Sequence, residues 1–151
     1  MSRNVRAIDI ARKKVFTCRP DQTIPHVAKI MKDNWIGSVI VVEQDKPIGI
    51  VTDGIIFSLI AKERNPLVLL AQDVMVAPVF TIHEDADICD SEDQFLKTKV
   101  KRLAVVNDEG QLVGVLSKKE VECYTRYSLA QRILNQKKNQ TRYESHIISC
   151  R

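Results

Sequence analysis

The sequence predicts an α/β (α+β) fold: two copies of a β-α-β-β-α unit followed by an extended C-terminal helix. Three observations predict it. The chain repeats itself at an offset of 64 positions, so that DIARKKVFTCRPDQTI (9–24) falls on DVMVAPVFTIHEDADI (73–88). Each copy holds a run without polar alternation, IGSVIVV (36–42) and VKRLAVV (100–106), which reads as a strand buried on both faces. Beyond Glu120 an apolar stripe at helical spacing continues further than one lobe can cover.

The repeat is matched residue by residue. Asp9 meets Asp73, Val15-Phe16-Thr17 meets Val79-Phe80-Thr81, and Ile24 meets Ile88. One extra residue in the second turn then aligns GIVT (49–52) with GVLS (114–117). A match this long and in order marks a duplication. The units span 7–66 and 73–125, and 126–151 holds the helix extension and a tail.

Within the first unit, Val15–Cys18 reads as a short strand. Thr23 is a helix N-cap, with Pro25 tolerated in the first turn. Ile24, Val27, Ala28 and Met31 recur at helical spacing. After the buried run 36–42, EQDKP is a hairpin turn, a role that NDEG plays in the second copy. Ile48–Val51 is the return strand. Gly54–Lys62 is a helix with Ile55, Ile56, Leu59 and Ile60, stopped by Asn65-Pro66. The first helix of the second copy is weaker, its apolar residues being Ile88, Cys89, Phe95 and Leu96. In the last helix Cys123, Tyr127, Ala130 and Leu134 form a stripe widened by Tyr124 and Ile133, expected to pack on the other lobe or on a second chain. The polar segment QKKNQTRYESHIISCR is expected to be loosely ordered. Trp35, just ahead of the buried run, is expected to be a packing residue.

Composition bounds the function. With 44% hydrophobic and 28% charged residues in 151, the chain is an ordinary globular one. It holds no apolar run of membrane-spanning length, and its start lacks the apolar core of a signal peptide, so the expected location is cytoplasmic. Cys18, Cys89, Cys123 and Cys150 form no Cys-x-x-Cys, and His26, His83 and His146 do not stand at zinc-ligand spacings; no metal is expected. A net charge of +4 is too small to argue for nucleic acid. Its distribution is uneven: 84–93 (EDADICDSED) carries six acids and no base, whereas bases dominate after Lys118. Either both are solvated faces, or the acidic face of one chain meets the basic tail of another. No Ser-His-Asp or Cys-His arrangement can be argued, so an enzyme is not expected.

Together these stretches resemble a tandem pair of cystathionine-β-synthase (CBS) domains, also called a Bateman module. The resemblance covers about residues 7–125. It rests on VFT in both first strands, DVM before the second, the two buried runs, and the glycine-led PIGIVTDGII (47–56) and LVGVLSKKEV (112–121). It implies two lobes related by a pseudo-twofold axis, with packed sheets, two clefts and frequent dimerisation. It also implies binding of adenosine compounds (AMP, ADP, ATP, S-adenosylmethionine or methylthioadenosine) and regulation of a partner, without catalysis.

By this resemblance Gly49 and Gly114 allow close backbone approach. Thr52 and Ser117 then stand at a helix start suited to phosphate. The family pattern continues to an Asp three residues later that takes the ribose hydroxyls. Here Ile55 stands in the first copy and Glu120 in the second, and Asp53 offers an imperfect substitute for the missing acceptor. The preferred cleft would combine Thr17 and Ile36 with Lys101, Arg102, Val115, Ser117 and Glu120. Ile36 and Val115 would sandwich the base, Thr17 would read its edge, and the two cations would face phosphate. The weaker cleft would combine Thr81 and Val100 with Gly37, Ser38, Ile50, Thr52 and Ile55, and would hold no base. The expected protein is thus a homodimeric sensor of one adenine nucleotide per chain. The alternatives are a ligand-independent dimeric scaffold and a sensor of S-adenosylmethionine or methylthioadenosine.

Overall fold

The structure, a computed structural model, describes residues 4–149, and the side chains of residues 4–140. It holds two three-stranded sheets of identical topology. β1 (Thr17–Cys18), β2 (Ser38–Glu43) and β3 (Lys46–Thr52) lie in that order, β1 parallel and β3 antiparallel to β2. β4 (Thr81–His83), β5 (Arg102–Val106) and β6 (Leu112–Ser117) repeat the arrangement. Even the irregularity recurs: the register shifts at Val41/Val42 and at Val105/Val106, 64 positions apart.

The central strands are apolar throughout because each is covered twice. Val39 and Val41 face α2 (Ile24–Asn34) within the first lobe's core, beside Val27 and Met31. Ile40, between them, points the other way and meets Val79 and Ala104 between the sheets. In the second lobe Leu103 and Val105 face α5 (Ile88–Thr98), while Ala104 joins that shared core. Thr23 caps α2 by accepting from the His26 N–H at 3.3 Å. The apolar residues expected on α5 are partly redistributed: Ile88 and Phe95 are buried, but Cys89 and Leu96 are exposed. The third inward position belongs to Ser91, buried with its Oγ unpartnered.

The two halves exchange their leading segments. α1 (Ala7–Ile10) opens the first unit, yet Ala7 and Ala11 are buried in the second lobe's core. Arg12 and Val115 exchange two backbone hydrogen bonds of 2.9 and 3.0 Å, so this segment closes the free edge of β6. The segment carrying α4 (Ala71–Val74) mirrors it. Ala71 is buried in the first lobe's core, and Val76 bonds to Ile50 on the edge of β3 at 2.9 and 3.0 Å. The lobes are therefore not contiguous stretches, although the repeats are.

This exchange accounts for the paired glycines. A Cβ at Gly49 would stand 2.9 Å from Met75 Cγ and 3.1 Å from its Cβ, on the segment that follows α4. One at Gly114 would stand 3.2 Å from the Arg12 carbonyl and 3.3 Å from Ala11 Cβ. What approaches these glycines is the exchanged chain, not open cleft.

α3 (Asp53–Ala61) begins at its N-cap Thr52 and is followed by a 3₁₀ turn at Pro66–Val68. α6 (Lys118–Ser149) starts on the second lobe, where Val121 is buried and the Thr125 hydroxyl donates to Glu92 on α5 at 2.5 Å. It then runs past the lobe. At 1.5 Å per residue it is about 48 Å long. Tyr127, Leu129, Ile133 and Leu134 are exposed, so the stripe is not covered by the chain's own other lobe. Of the segment 136–151, expected to be loosely ordered, residues 136–149 continue α6 and the last two lie outside the described residues. Residues 136–149 contain no Gly or Pro, and their Gln, Lys, Arg and Glu are adequate helix formers.

Candidate functional site

Two clefts open where the return strands give way to helices, each walled by both lobes. The larger, about 710 Å³, lies between Lys14–Phe16 and Trp35–Ser38 on one side and Val115, Ser117, Glu120 and Tyr124 on the other. The end of α1 contributes Asp9 and Arg12. The smaller, about 350 Å³, has the corresponding walls: Pro78–Phe80 and Val100–Arg102 against Ile50, Thr52 and Ile55.

Of the residues expected in the preferred cleft, Ile36, Arg102, Val115, Ser117 and Glu120 line the larger one. Lys101 does not; it lines the smaller cleft with Val100. Thr17 borders a separate crevice beside Val42 and Leu112. Of the second set, Gly37, Ser38, Ile50, Thr52, Ile55 and Val100 line the smaller cleft, and Thr81 lines neither. Each first strand begins at its threonine, so the cleft is walled by the chain leading into it, Val15-Phe16 or Val79-Phe80.

Gly37, Ser38 and Arg102 line both clefts. Ser38 and Arg102 are equivalent in the repeat and open the two central strands, so they stand near the pseudo-twofold axis and are shared. For that reason the smaller cleft does not lack bases: Lys101 and Arg102 both line it.

The helix starts are capped. Thr52 Oγ1 accepts from the Ile55 N–H at 3.2 Å. Ser117 Oγ accepts from the Glu120 N–H at 3.2 Å, and Glu120 Oε2 accepts from the Ser117 N–H at 3.1 Å, a reciprocal capping box. Glu120 Oε1 accepts from Arg12 Nε at 2.5 Å. Burial by itself would push the Glu120 carboxyl up, but its bonds to Ser117 and Arg12 outweigh this and hold it below its ordinary value. In the smaller cleft Asp53 is turned to its own helix start, accepting from the Gly54 N–H at 2.7 Å.

Arg12, Lys14, Trp35 and Lys119 are lining residues that sequence reasoning missed. The signal for the first two was the basic run ARKK directly before the first strand. Lys14 Nζ sits over the Phe16 ring, 5.3 Å from its centroid. Trp35, expected to pack, is instead 95% exposed. It is the C-cap of α2 in the left-handed conformation (φ 54°), and this turn leaves the indole at the cleft rim. Its equivalent, Lys99, has φ 57°. Among the described residues no cluster of three or more His, Cys, Asp or Glu is placed to hold a metal ion, and no helix is long and apolar enough to cross a membrane.

Comparison with known proteins matches the family model described as CBS domain to residues 5–62 and 71–122. The chain is 32% identical over 121 residues to protein MK0525 of Methanopyrus kandleri, covering 79% of this chain and 62% of that protein. It spans 38% and 65% of two further curated relatives. Among solved structures, a CBS domain protein from Pyrobaculum aerophilum, PAE2072 complexed with AMP, superposes with a TM-score of 0.71 at 21% identity, covering 77% of this chain and 89% of that one. The CBS domain pair of protein MJ0100, in complex with methylthioadenosine and S-adenosylmethionine, gives 0.74 at 22% identity, covering 82% and 98%. At these identities the likeness is one of fold.

Proposed function

The chain belongs to the CBS domain family, with two copies of the domain in tandem, and from that premise we propose that it is a regulatory module that senses an adenosine nucleotide and signals its state to a partner protein. The observation that carries this is the larger cleft. It is walled by both lobes, and its lining includes Arg12, Lys14, Arg102 and Lys119 against only two acids, Asp9 and Glu120. Such a cleft attracts an anion. Ile36 and Val115 offer apolar faces for a base, while Ser117 and Glu120 stand at a helix start as acceptors for a ribose. AMP in PAE2072, and methylthioadenosine and S-adenosylmethionine in MJ0100, share the adenosine moiety, and AMP adds the phosphate.

The smaller cleft is the weaker site. Ile55 stands where the larger cleft has Glu120, and a ribose diol facing it loses water without a full acceptor, costing roughly 1–3 kcal/mol.

A second reading, a ligand-independent scaffold, is favoured by the bare stripe on α6 together with exposed Phe57 and Ile60 on α3. In either reading this surface suits a second copy of the chain, giving a homodimer. Native mass spectrometry of the purified protein separates the two. A dimer that carries a nucleotide supports the sensor, and a dimer that neither retains nor takes up AMP, ADP or ATP supports the scaffold.

A further inference from the structure

Arg12 is held as a binding group is held. Two backbone hydrogen bonds with Val115 fix its main chain at the cleft wall. Its Nε donates to Glu120 Oε1, which sets the plane of the guanidinium. Nη1 and Nη2 have no partner among the described residues, and the side chain is 69% exposed. An ion pair so exposed adds little stability. It leaves instead a two-pronged donor fork, the geometry that matches a phosphate.

Glu120 remains competent beside it. Each of its oxygens accepts one bond, Oε1 from Arg12 and Oε2 from Ser117, and a carboxylate oxygen has a second lone pair. One ligand can thus place hydroxyls on Glu120 and an anionic group on Arg12. The acids offer no welcome to a cation: Glu120 is paired with Arg12, and Asp9 accepts from the backbone and guanidinium of Arg6. The smaller cleft has Val76 at the position equivalent to Arg12, so the fork is particular to the larger cleft.

Building on the nucleotide-sensing reading, we propose that Arg12 is the anion-recognising residue of the larger cleft and selects a 5′-phosphorylated purine ribonucleotide over S-adenosylmethionine, whose one carboxylate is offset by its own ammonium and sulfonium charges. Arg12 touches the phosphate, Glu120 both orients Arg12 and accepts the diol, and a ligand lacking either group loses one half of the pair.

The test is calorimetry on the full chain with AMP, adenosine and S-adenosylmethionine, comparing wild type with Arg12→Gln and Arg12→Lys, each checked by thermal melting. In wild type AMP should bind about 10- to 100-fold more tightly than adenosine, the range for a hydrogen bond to a charged group, and more tightly than S-adenosylmethionine. Arg12→Gln should bring AMP to within about threefold of adenosine, the loss falling mainly on AMP. Arg12→Lys keeps the charge without the fork and should retain only part of the preference, and it carries the test if the Gln variant does not fold. An equal loss of AMP and adenosine in the variants would mark Arg12 as structural and overturn the inference, as would an unchanged preference. Wild type binding AMP and adenosine equally would overturn the inference alone; wild type binding neither would overturn the nucleotide reading with it.

Discussion

Gly49→Ala puts the exchange of segments between the lobes under direct test. Gly49 is buried on β3, and its φ lies outside the left-handed region, so alanine is permitted by the backbone. Removing a glycine would then stabilise by about 0.4–1 kcal/mol through the unfolded chain. Against this, the new methyl would stand 2.9 Å from Met75 Cγ and 3.1 Å from Met75 Cβ. The Met75 tip can swing away, but its Cβ moves only with the backbone that leaves α4. Overpacking of this kind costs about 1–3 kcal/mol, so the net loss should lie within about 0–2.6 kcal/mol and centre on about 1.3 kcal/mol. For a chain of this length that centre is a fall in Tm of roughly 3–5 °C. The assay is thermal unfolding of Gly49→Ala, Met75→Ala and the double variant. Because the methyl occupies space that Met75 vacates, the double variant should be more stable than the sum of the singles by about 0.5–3 kcal/mol. Limited proteolysis should show faster cutting within 69–76 in Gly49→Ala. A gain in stability, or strict additivity with Met75→Ala, would refute the reasoning, because it would mean that the α4 segment does not lie on β3. Gly114→Ala is the milder counterpart: contacts of 3.2 and 3.3 Å ask for a shift of tenths of an ångström, and loosening should appear at 5–12 instead.

Ser91→Ala should leave stability unchanged or raise it by up to about 1 kcal/mol in urea unfolding, because the buried Oγ has no partner to lose; a clear loss would reveal a bond to that hydroxyl. Glu120 has a folded pKa below its ordinary 4.5, so its contribution is present above that value and is lost as pH falls through the folded one. Glu120→Gln should therefore lower stability at neutral pH and flatten the acid limb of the Tm profile, and a limb identical to wild type would contradict the assignment. Trp35 is the single tryptophan and stands exposed at the rim of the larger cleft. Its fluorescence should show a solvent-like maximum and change saturably on titration with AMP; a blue-shifted maximum in the free protein would disprove the exposure. Deleting 139–151 should leave Tm unchanged, since the helix is already clear of the lobes at Tyr127, and a fall in Tm would show that the overhang supports the fold.

The duplication, the β-α-β-β-α order within each copy and the identity of the central strands were legible in the residues alone. They depend on local periodicity, capping and burial pattern, which a linear chain records directly: Thr23, Thr52 and Ser117 stand as helix caps where their chemistry put them. The continuation of α6 past the second lobe was also there to be read, in the apolar stripe beyond Glu120 and the absence of Gly and Pro. What only the tertiary structure decided is which segment meets which. Ala7 lies in the second lobe and Ala71 in the first because the free edges of β6 and β3 accept whichever chain reaches them, and no local pattern says which copy that is. The same holds for the clefts. Arg102 and Ser38 serve both because they stand near an axis that relates residues far apart in the chain, and Arg12 meets Glu120 across 108 positions only after the segments have crossed.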